Sequence, residues 1–328
     1  MRTRFILLIG LVASVVALVG LTWFYPSVDD LFVENPFWNG LSDVYVAVQP
    51  VRVGNLTQLV DVVGDVSNST VLFLGPSKPF WVSDVEIIGS YLGSGGTVVL
   101  ADDFGSGNML LEGLGLDARF SGLLMQDPLF KDRASLLPVA YNFTSGGSAL
   151  GVRYVEFNYP TVLTGVSDAN VLLWSTYFSY VSVGVSQPGD SSTYGPFPLM
   201  ASMRVGKGTL ILIADSSTFI NGMYGLGDNA ALLRGLVRGT VVIDESHSVT
   251  SLLTIIKEAL VAIYAFLSLT EIRWGLVAVG VVAGFKVKWD KPVEDREDEV
   301  AATLRSHPEW DRKLVESVDE LRRKTDAG

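Results

Sequence analysis

Apolar residues in this chain come in short blocks, and three of the blocks end abruptly in carboxylates. Thr97 to Asn108 reads TVVLADDFGSGN, Gly208 to Ser217 reads GTLILIADSS, and Thr240 to His247 reads TVVIDESH. Each block is apolar throughout rather than at every second position, the pattern of a strand covered on both faces. Between them lie segments with helical spacing. Leu56, Leu59, Val60 and Val63 follow a capping Asn55. Val85, Ile88 and Leu92 follow Ser83 as cap. Met109, Leu110 and Leu114 mark Gly107–Gly115, and Leu232, Leu233, Leu236 and Val237 mark Gly227–Arg238. With further strands expected at Asp43–Gln49 and Thr70–Gly75, the alternation predicts an α/β fold around a mostly parallel sheet. It also predicts that the strand ends at Asp102, Asp215 and Asp244 share one edge of that sheet.

The alternation stops at Arg119. From there to Arg204, short β-like runs (Leu136–Tyr141, Val152–Glu156, Val171–Trp174, Tyr180–Val185) are separated by Gly, Pro, Ser and Asn. They predict a β-rich insertion or flap over about 119–205. Gly206-Lys207-Gly208 then predicts a tight hairpin between Leu199–Val205 and Thr209–Ala214.

Two regions raise the mean hydropathy to +0.37. Phe5–Phe24 is apolar over the length of a hydrocarbon core and ends in Trp23, Phe24, Tyr25 and Pro26, an interfacial aromatic belt rather than a cleavage site. It predicts an uncleaved anchor, with Arg2 and Arg4 holding the N-terminus inside. The second region, Ala259–Phe285, is interrupted by Glu271 and Arg273. One reading is a long tilted helix in which the two charges offset each other. The other is a span over Leu252–Leu269 followed by a short second or interfacial segment at Trp274–Trp289. Lys286, Lys288 and Lys291 favour a cytoplasmic tail, so the preferred topology has both termini inside. The organisation expected is an anchor (1–26), an extracytoplasmic domain (27–250), a second membrane region (251–289) and a charged helical cytoplasmic tail (290–328). In that tail Leu314, Val318 and Leu321 form a narrow apolar stripe, either solvated or docking a partner.

The 328 residues carry a net charge of −11, and residues 25–256 alone hold 10 basic and 21 acidic side chains. An acidic middle region repels phosphate backbones and excludes nucleic acid as a partner. The chain has no cysteine, which excludes disulfides, thiolate metal sites and a cysteine nucleophile. Sequons at Asn55, Asn68 and Asn142 all fall in the expected outer domain.

Chemistry-bearing residues gather at the expected edge: Asp102, Asp103, Asp215, Ser216, Asp244, Glu245 and His247. Oxygen ligands with one imidazole suit Mg²⁺, Mn²⁺, Ca²⁺ or, less well, Zn²⁺. Helix capping by Asp103, and by Asp215 or Ser216, explains the same acids. No spacing is that of a metal motif, so no cofactor is expected. Catalytic candidates are Asp102, Asp103, Asp215, Ser216 and His247, with Ser216 and His247 as a nucleophile–base pair. However, Ala214-Asp215-Ser216-Ser217-Thr218 is not Gly-x-Ser-x-Gly. Gly105-Ser106-Gly107-Asn108 has the look of a phosphate loop but lacks the following Lys-Ser/Thr. The ligand-contact set expected is Asp102, Asp103, Gly105, Asn108, Asp215, Asn221, Asp244 and Glu245.

Several of these motifs together resemble one family. They are Val98–Asn108, Leu114–Phe120, Gly206–Gly208 leading to Ala214–Asn221, Asp228-Asn229, and Asp244–His247. The chain resembles the prokaryotic membrane-protein family called domain of unknown function 4350, over roughly Asn39 to His247. The flanking apolar segments and the His307-Pro-x-Trp310 tail look like its archaeal members. The resemblance implies a flavodoxin-like sheet of the class I glutamine-amidotransferase-like kind, flanked by transmembrane helices. It also implies a setting beside MoxR-type AAA ATPases, von Willebrand-type domain proteins and transglutaminase-like membrane proteins. It brings no established activity. Amidotransferases of that fold use a cysteine at a strand-to-helix turn, and here the corresponding turn, Asp102–Phe104, carries carboxylates. The function expected is therefore a membrane-anchored, non-catalytic binding or scaffold protein. The alternatives are a metal-dependent or serine hydrolase at the acidic edge, and an auxiliary subunit of a transporter or AAA-ATPase-linked complex.

Overall fold

The computed structural model describes residues 2–182, 192–286 and 299–326. The chain divides into two compact units, Met1–Leu260 and Val261–Gly328.

The first unit is built on an eight-stranded sheet. In chain order its strands are β1 (Val51–Val53), β2 (Ser69–Leu74), β3 (Thr97–Ala101), β4 (Asn142–Phe143), β5 (Val171–Trp174), β6 (Pro198–Val205), β7 (Gly208–Ile213) and β8 (Thr240–Asp244). They lie in the order β1-β8-β2-β3-β7-β6-β5-β4. The first five of that order are mutually parallel and the rest antiparallel, so the sheet is mixed and mostly parallel through its centre. Every residue of β2 and β3 is buried, which is why Val71–Leu74 and Val98–Ala101 read as unbroken apolar runs.

Helix α1 (Arg2–Phe24) leads through residues 27–41 into α2 (Ser42–Val48). Next come α3 (Val82–Gly93) after β2, α4 (Gly107–Gly113) after β3, and α5 (Asn229–Leu236) before β8. α3 packs with α4 and with the Leu56–Gln58 turn. α5 packs instead with the short Asn221–Tyr224 helix, which also touches α2. The connection from β7 to β8 runs back across the sheet, so right-handed crossovers put α5 on the face opposite α3. The sheet is thus covered on both sides.

Four expectations change. Asp43–Gln49 is helix, not strand: Leu41 and Val44 bury at helical spacing, Val46 is 74% exposed, and Gln49 closes the helix in a left-handed conformation before Pro50. Ser83 does not cap α3, because the helix begins at Val82 and Asp84 accepts the Trp81 N–H at 2.8 Å. The segment 119–205 is β-rich, but it joins the main sheet: β4, β5 and β6 extend the central sheet, and the Gly206-Lys207-Gly208 hairpin returns the chain to its parallel part. Residues 183–185 of the expected Tyr180–Val185 run lie outside the described residues. Finally, the five parallel strands run 1-5-2-3-4 by chain order, whereas a flavodoxin-like sheet runs 2-1-3-4-5. The last strand enters between the first two.

Helix α6 (Leu252–Ser268) and helix α7 (Thr270–Lys286) follow. Among the described residues no single helix is long and apolar enough to cross a membrane. Ile9–Phe24 is a shorter apolar helix, and α6 with Thr270–Val282 reaches spanning length and composition only as a pair bent by 77°. The break at Leu269 places Glu271 and Arg273 in the first turn of a separate helix rather than inside one long tilted helix. Trp289, Lys288 and Lys291 lie outside the described residues. In the second unit α8 (Glu299–Ser306) packs on α9 (Arg312–Asp326), with Val300 buried and His307 stacked on Trp310 at 4.3 Å. Leu314, Val318 and Leu321 are exposed along α9.

Candidate functional site

Parallel register carries the ends of β8, β2, β3 and β7 to one edge, in that spatial order. Asp244–His247, Gly75–Lys78, Asp102–Gly107 and Asp215–Ser217 therefore lie side by side, as the apolar-to-acid grammar predicted.

At the end of β3 the glycine-rich turn is folded around Asp102. Its Oδ1 accepts the N–H groups of Asp103 and Gly105 at 2.9 and 3.0 Å, and its Oδ2 accepts that of Gly107 at 2.6 Å. A Cβ on Gly105 or Gly107 would lie 2.6 or 2.5 Å from this carboxylate. The cradle that a phosphate loop offers an anion is filled here by the chain's own side chain. Burial pushes the Asp102 carboxyl up to about 6, against the opposing effect of those N–H groups. Asn108 clamps α4 to the next segment by bonding both the N–H and the C=O of Phe120.

One strand further, the Ser216 hydroxyl donates to Asp103 Oδ2 at 3.0 Å. Asp215 is fully buried and accepts the N–H groups of Asn158 and Ser217, each at 2.7 Å. It thus caps its own turn and latches the 157–161 segment to the edge, where the Thr161 N–H also bonds the Ala214 carbonyl. Burial, and then the Asp103 charge, push Asp215 up to about 7. Burial raises Asp103 as well.

At the end of β8, His247 is buried. Its Nδ1 lies 2.8 Å from Asp244 Oδ2, its Nε2 lies 3.5 Å from Asp84 Oδ2, and its ring stacks on Phe80 at 3.9 Å. Its carbonyl accepts the N–H groups of Ser77 and Lys78. β8 and β7 are separated by β2 and β3, roughly 14 Å at the usual strand spacing. The Ser216–His247 pair therefore does not form: the hydroxyl bonds Asp103, and the imidazole sits between Asp244 and Asp84. Glu245 is paired instead with Arg52, which also meets Glu34 at 2.6 Å. Burial raises Glu245 despite that partner.

The remaining expected contact residue, Asn221, holds the segment 27–41. Its Nδ2 donates to the carbonyls of Asn35 and Phe37, and its Oδ1 accepts the Asp43 N–H. This strap crosses the edge. Leu31, with φ +57, presses its Cδ1 to 2.2 Å from where a Gly75 Cβ would be, and Ser216 Cβ lies 3.2 Å from the same point. Beside it is a cavity of about 360 Å³ lined by Asp29, Leu31, Gly75, Ser77 and Ser248. Asp29 accepts the Ser251 N–H with both oxygens at 3.1 Å, tying the start of the strap to the residue before α6. Asp29, Leu31 and Asn35 escaped the sequence reading, because the strap has no periodicity; Arg52 in β1 and Asp84 in α3 escaped it as well, since their partners Glu245, Glu34 and His247 are distant in the chain. The strap's one signal was Asn35-Pro36, a turn dipeptide followed by Trp38-Asn39-Gly40. Among the described residues no three His, Asp or Glu side chains converge as a metal-binding group.

The architecture defines an α/β domain with a mostly parallel central sheet whose strand-end edge is acidic, internally bonded and strapped over. The chain belongs to the family described as Domain of unknown function (DUF4350), whose model matches residues 33–237. No curated protein matches it. Among solved structures, the mmIFT52 N-terminal domain is 15% identical with a TM-score of 0.42, covering 56% of this chain and 78% of that one. Cytoplasmic Protein STM3548 from Salmonella typhimurium is 12% identical at a TM-score of 0.28, covering 58% and 78%. The exo-beta-1,4-mannosidase Op5Man5 from Opitutaceae bacterium strain TAV5 is 12% identical at 0.27, covering 52% and 26%. Likeness at this level carries no functional implication.

Proposed function

We propose that this protein is a membrane-anchored, non-catalytic binding or scaffold protein. Its α/β domain lies outside the cytoplasm, and both termini lie inside. The observation that carries the reading is the state of the strand-end edge. Ser216 bonds a carboxylate rather than an imidazole, His247 is enclosed between Asp244 and Asp84, and Asp102 occupies its own loop's N–H cradle. An edge with these groups internally bonded supports presentation of a rigid surface better than turnover. The anchors are α1 and the α6–α7 pair. The exposed Leu314, Val318 and Leu321 stripe of α9 supports a cytoplasmic protein partner, for which the resemblance points to a MoxR-type AAA ATPase.

The test is isolation of the tagged full chain from membranes under mild detergent, beside a variant carrying Leu314→Ser, Val318→Ser and Leu321→Ser. A partner retained by the native chain and lost from the variant supports the scaffold reading. A native chain that hydrolyses ester or phosphoester probes, with loss on Ser216→Ala, overturns it in favour of a hydrolase. One observation favours that second reading: Asp103 sits at a serine hydroxyl beside the buried Asp215.

A further inference from the structure

Exposed apolar side chains are distributed unevenly between the two edges of the central sheet. At the strand-end edge, Trp38 of the strap is 70% exposed, Trp81 at the head of α3 71%, Phe104 in the turn after β3 55%, and Tyr159 beside the Asp215 latch 47%. Val82 and Val249 add to them. These residues come from separate loops, yet each loop follows a strand end or is hydrogen-bonded to one. At the opposite edge Val51 is 38% exposed at the start of β1, but the turns Asp65–Asn68, Gly93–Gly96, Val205–Gly208 and Arg238–Gly239 present no exposed large apolar side chain and no exposed ring.

The same edge is where both apolar helices leave the domain. α1 ends at Phe24, directly before the strap, and α6 starts at Leu252, directly after Ser251. The two exits are tied together by Asp29 on the Ser251 N–H and by the Lys257 ammonium on the Tyr25 carbonyl. Trp23, Phe24 and Tyr25 are exposed at this junction. Two helices that exit side by side fix which edge faces the plane they enter. Trp, Tyr and Phe are the side chains that settle at headgroup level, where an apolar ring and a polar edge are both accommodated.

We propose that the strand-end edge docks on the bilayer surface, with Trp38, Trp81, Phe104 and Tyr159 seated among the lipid headgroups. The inference rests on the membrane-anchored reading above and goes further. The domain lies against the membrane rather than standing off it.

The absence of cysteine makes the test clean. Single variants Trp38→Cys, Trp81→Cys and Phe104→Cys, with Lys207→Cys in the opposite-edge hairpin as reference, carry an environment-sensitive fluorophore. The full chain is reconstituted in zwitterionic phosphatidylcholine vesicles, with and without lipids brominated near the headgroup. The expected result is a blue-shifted emission at the three edge positions, quenched several-fold more than at Lys207. If labels at all four positions are equally aqueous while the protein stays with the vesicles through an alkaline carbonate wash, docking is wrong and anchoring stands. If the wash releases the protein, the anchoring reading fails and docking with it. As a check free of labels, the Trp38→Phe/Trp81→Phe double variant should lose part of the intrinsic fluorescence quenching by the same lipids. An unchanged value overturns the proposal.

Discussion

The backbone N–H of Gly107 donates to Asp102 Oδ2 at 2.6 Å, so the glycine-rich turn after β3 binds a carboxylate five residues before it. Asp102 is the turn's anion. Replacing it with Ala leaves three N–H groups without their acceptor, the Gly107 one buried, and should cost about 3 kcal/mol. Asp102→Asn keeps the Oδ1 bonds but sets an amide against the Gly107 N–H, and should cost about 1–2 kcal/mol. Denaturant unfolding of the full chain in detergent measures both. Ala no worse than Asn would mean that the turn holds without its acceptor.

Asp215 gives the fold a pH dependence of unusual sign for a carboxylate. Its folded pKa, about 7, lies above the ordinary 3.8, so the folded state holds the proton more tightly than the unfolded chain. Its contribution is fully present below about pH 4 and is lost as pH rises to about 7. Asp102, at about 6, acts in the same direction over a narrower window. At roughly 1.4 kcal/mol per pKa unit, the Asp215 contribution amounts to several kcal/mol. Melting temperature measured from pH 5 to 8 should fall more steeply for the native chain than for Asp215→Asn, whose side chain does not titrate. Parallel curves would remove Asp215 as the cause.

The apolar blocks at Thr97, Thr209 and Thr240 were legible because a parallel strand buried on both faces has no polar position to disguise it. Their convergence on one edge follows from parallelism. The order of strands does not follow: β8 slots between β1 and β2, and no local residue records that long crossover. This is why Ser216 and His247, adjacent in chain order of strand ends, finish on strands separated by two others. The misread Asp43–Gln49 shows the limit of propensity. Its valines favour a strand in isolation, and burial of Leu41 and Val44 in the core at helical spacing makes it a helix. The strap was illegible for a related reason, since nothing in residues 27–41 repeats at either period.

The strap depends on Asn221, whose side chain donates two hydrogen bonds to it and accepts a third from the Asp43 N–H in α2, just beyond its end. Asn221→Ala should lower stability by about 1–3 kcal/mol and loosen the segment ahead of any global opening. Amide hydrogen exchange should rise first at Leu31 and Leu41, whose N–H groups are bonded within the strap, and at Asp43, whose N–H loses the Asn221 oxygen as acceptor. Increased exchange spread evenly over β2 and β3 instead would show that the asparagine supports the whole sheet and not the strap.

His247 decides between a structural and a chemical role for the edge, because its ring packs as well as bonds. It stacks on Phe80 and meets Phe73 edge-on at 6.0 Å, inside the core beside β2. His247→Phe keeps that packing. Asp244 would still accept the Ser246 hydroxyl and the N–H groups of Ser246 and residue 247, so the change should cost about 1 kcal/mol. His247→Ala empties the stack and should cost about 3 kcal/mol or more, in the range of other buried aromatic truncations. Partner retention by the full chain should follow stability, intact in the Phe variant and weakened in the Ala variant. A general base behaves differently, since both substitutions delete the imidazole and should abolish turnover equally. Turnover present in the native chain and lost equally in the Phe and Ala variants, despite the stability retained by Phe, would therefore make His247 a reacting group and the strand-end edge a catalytic site.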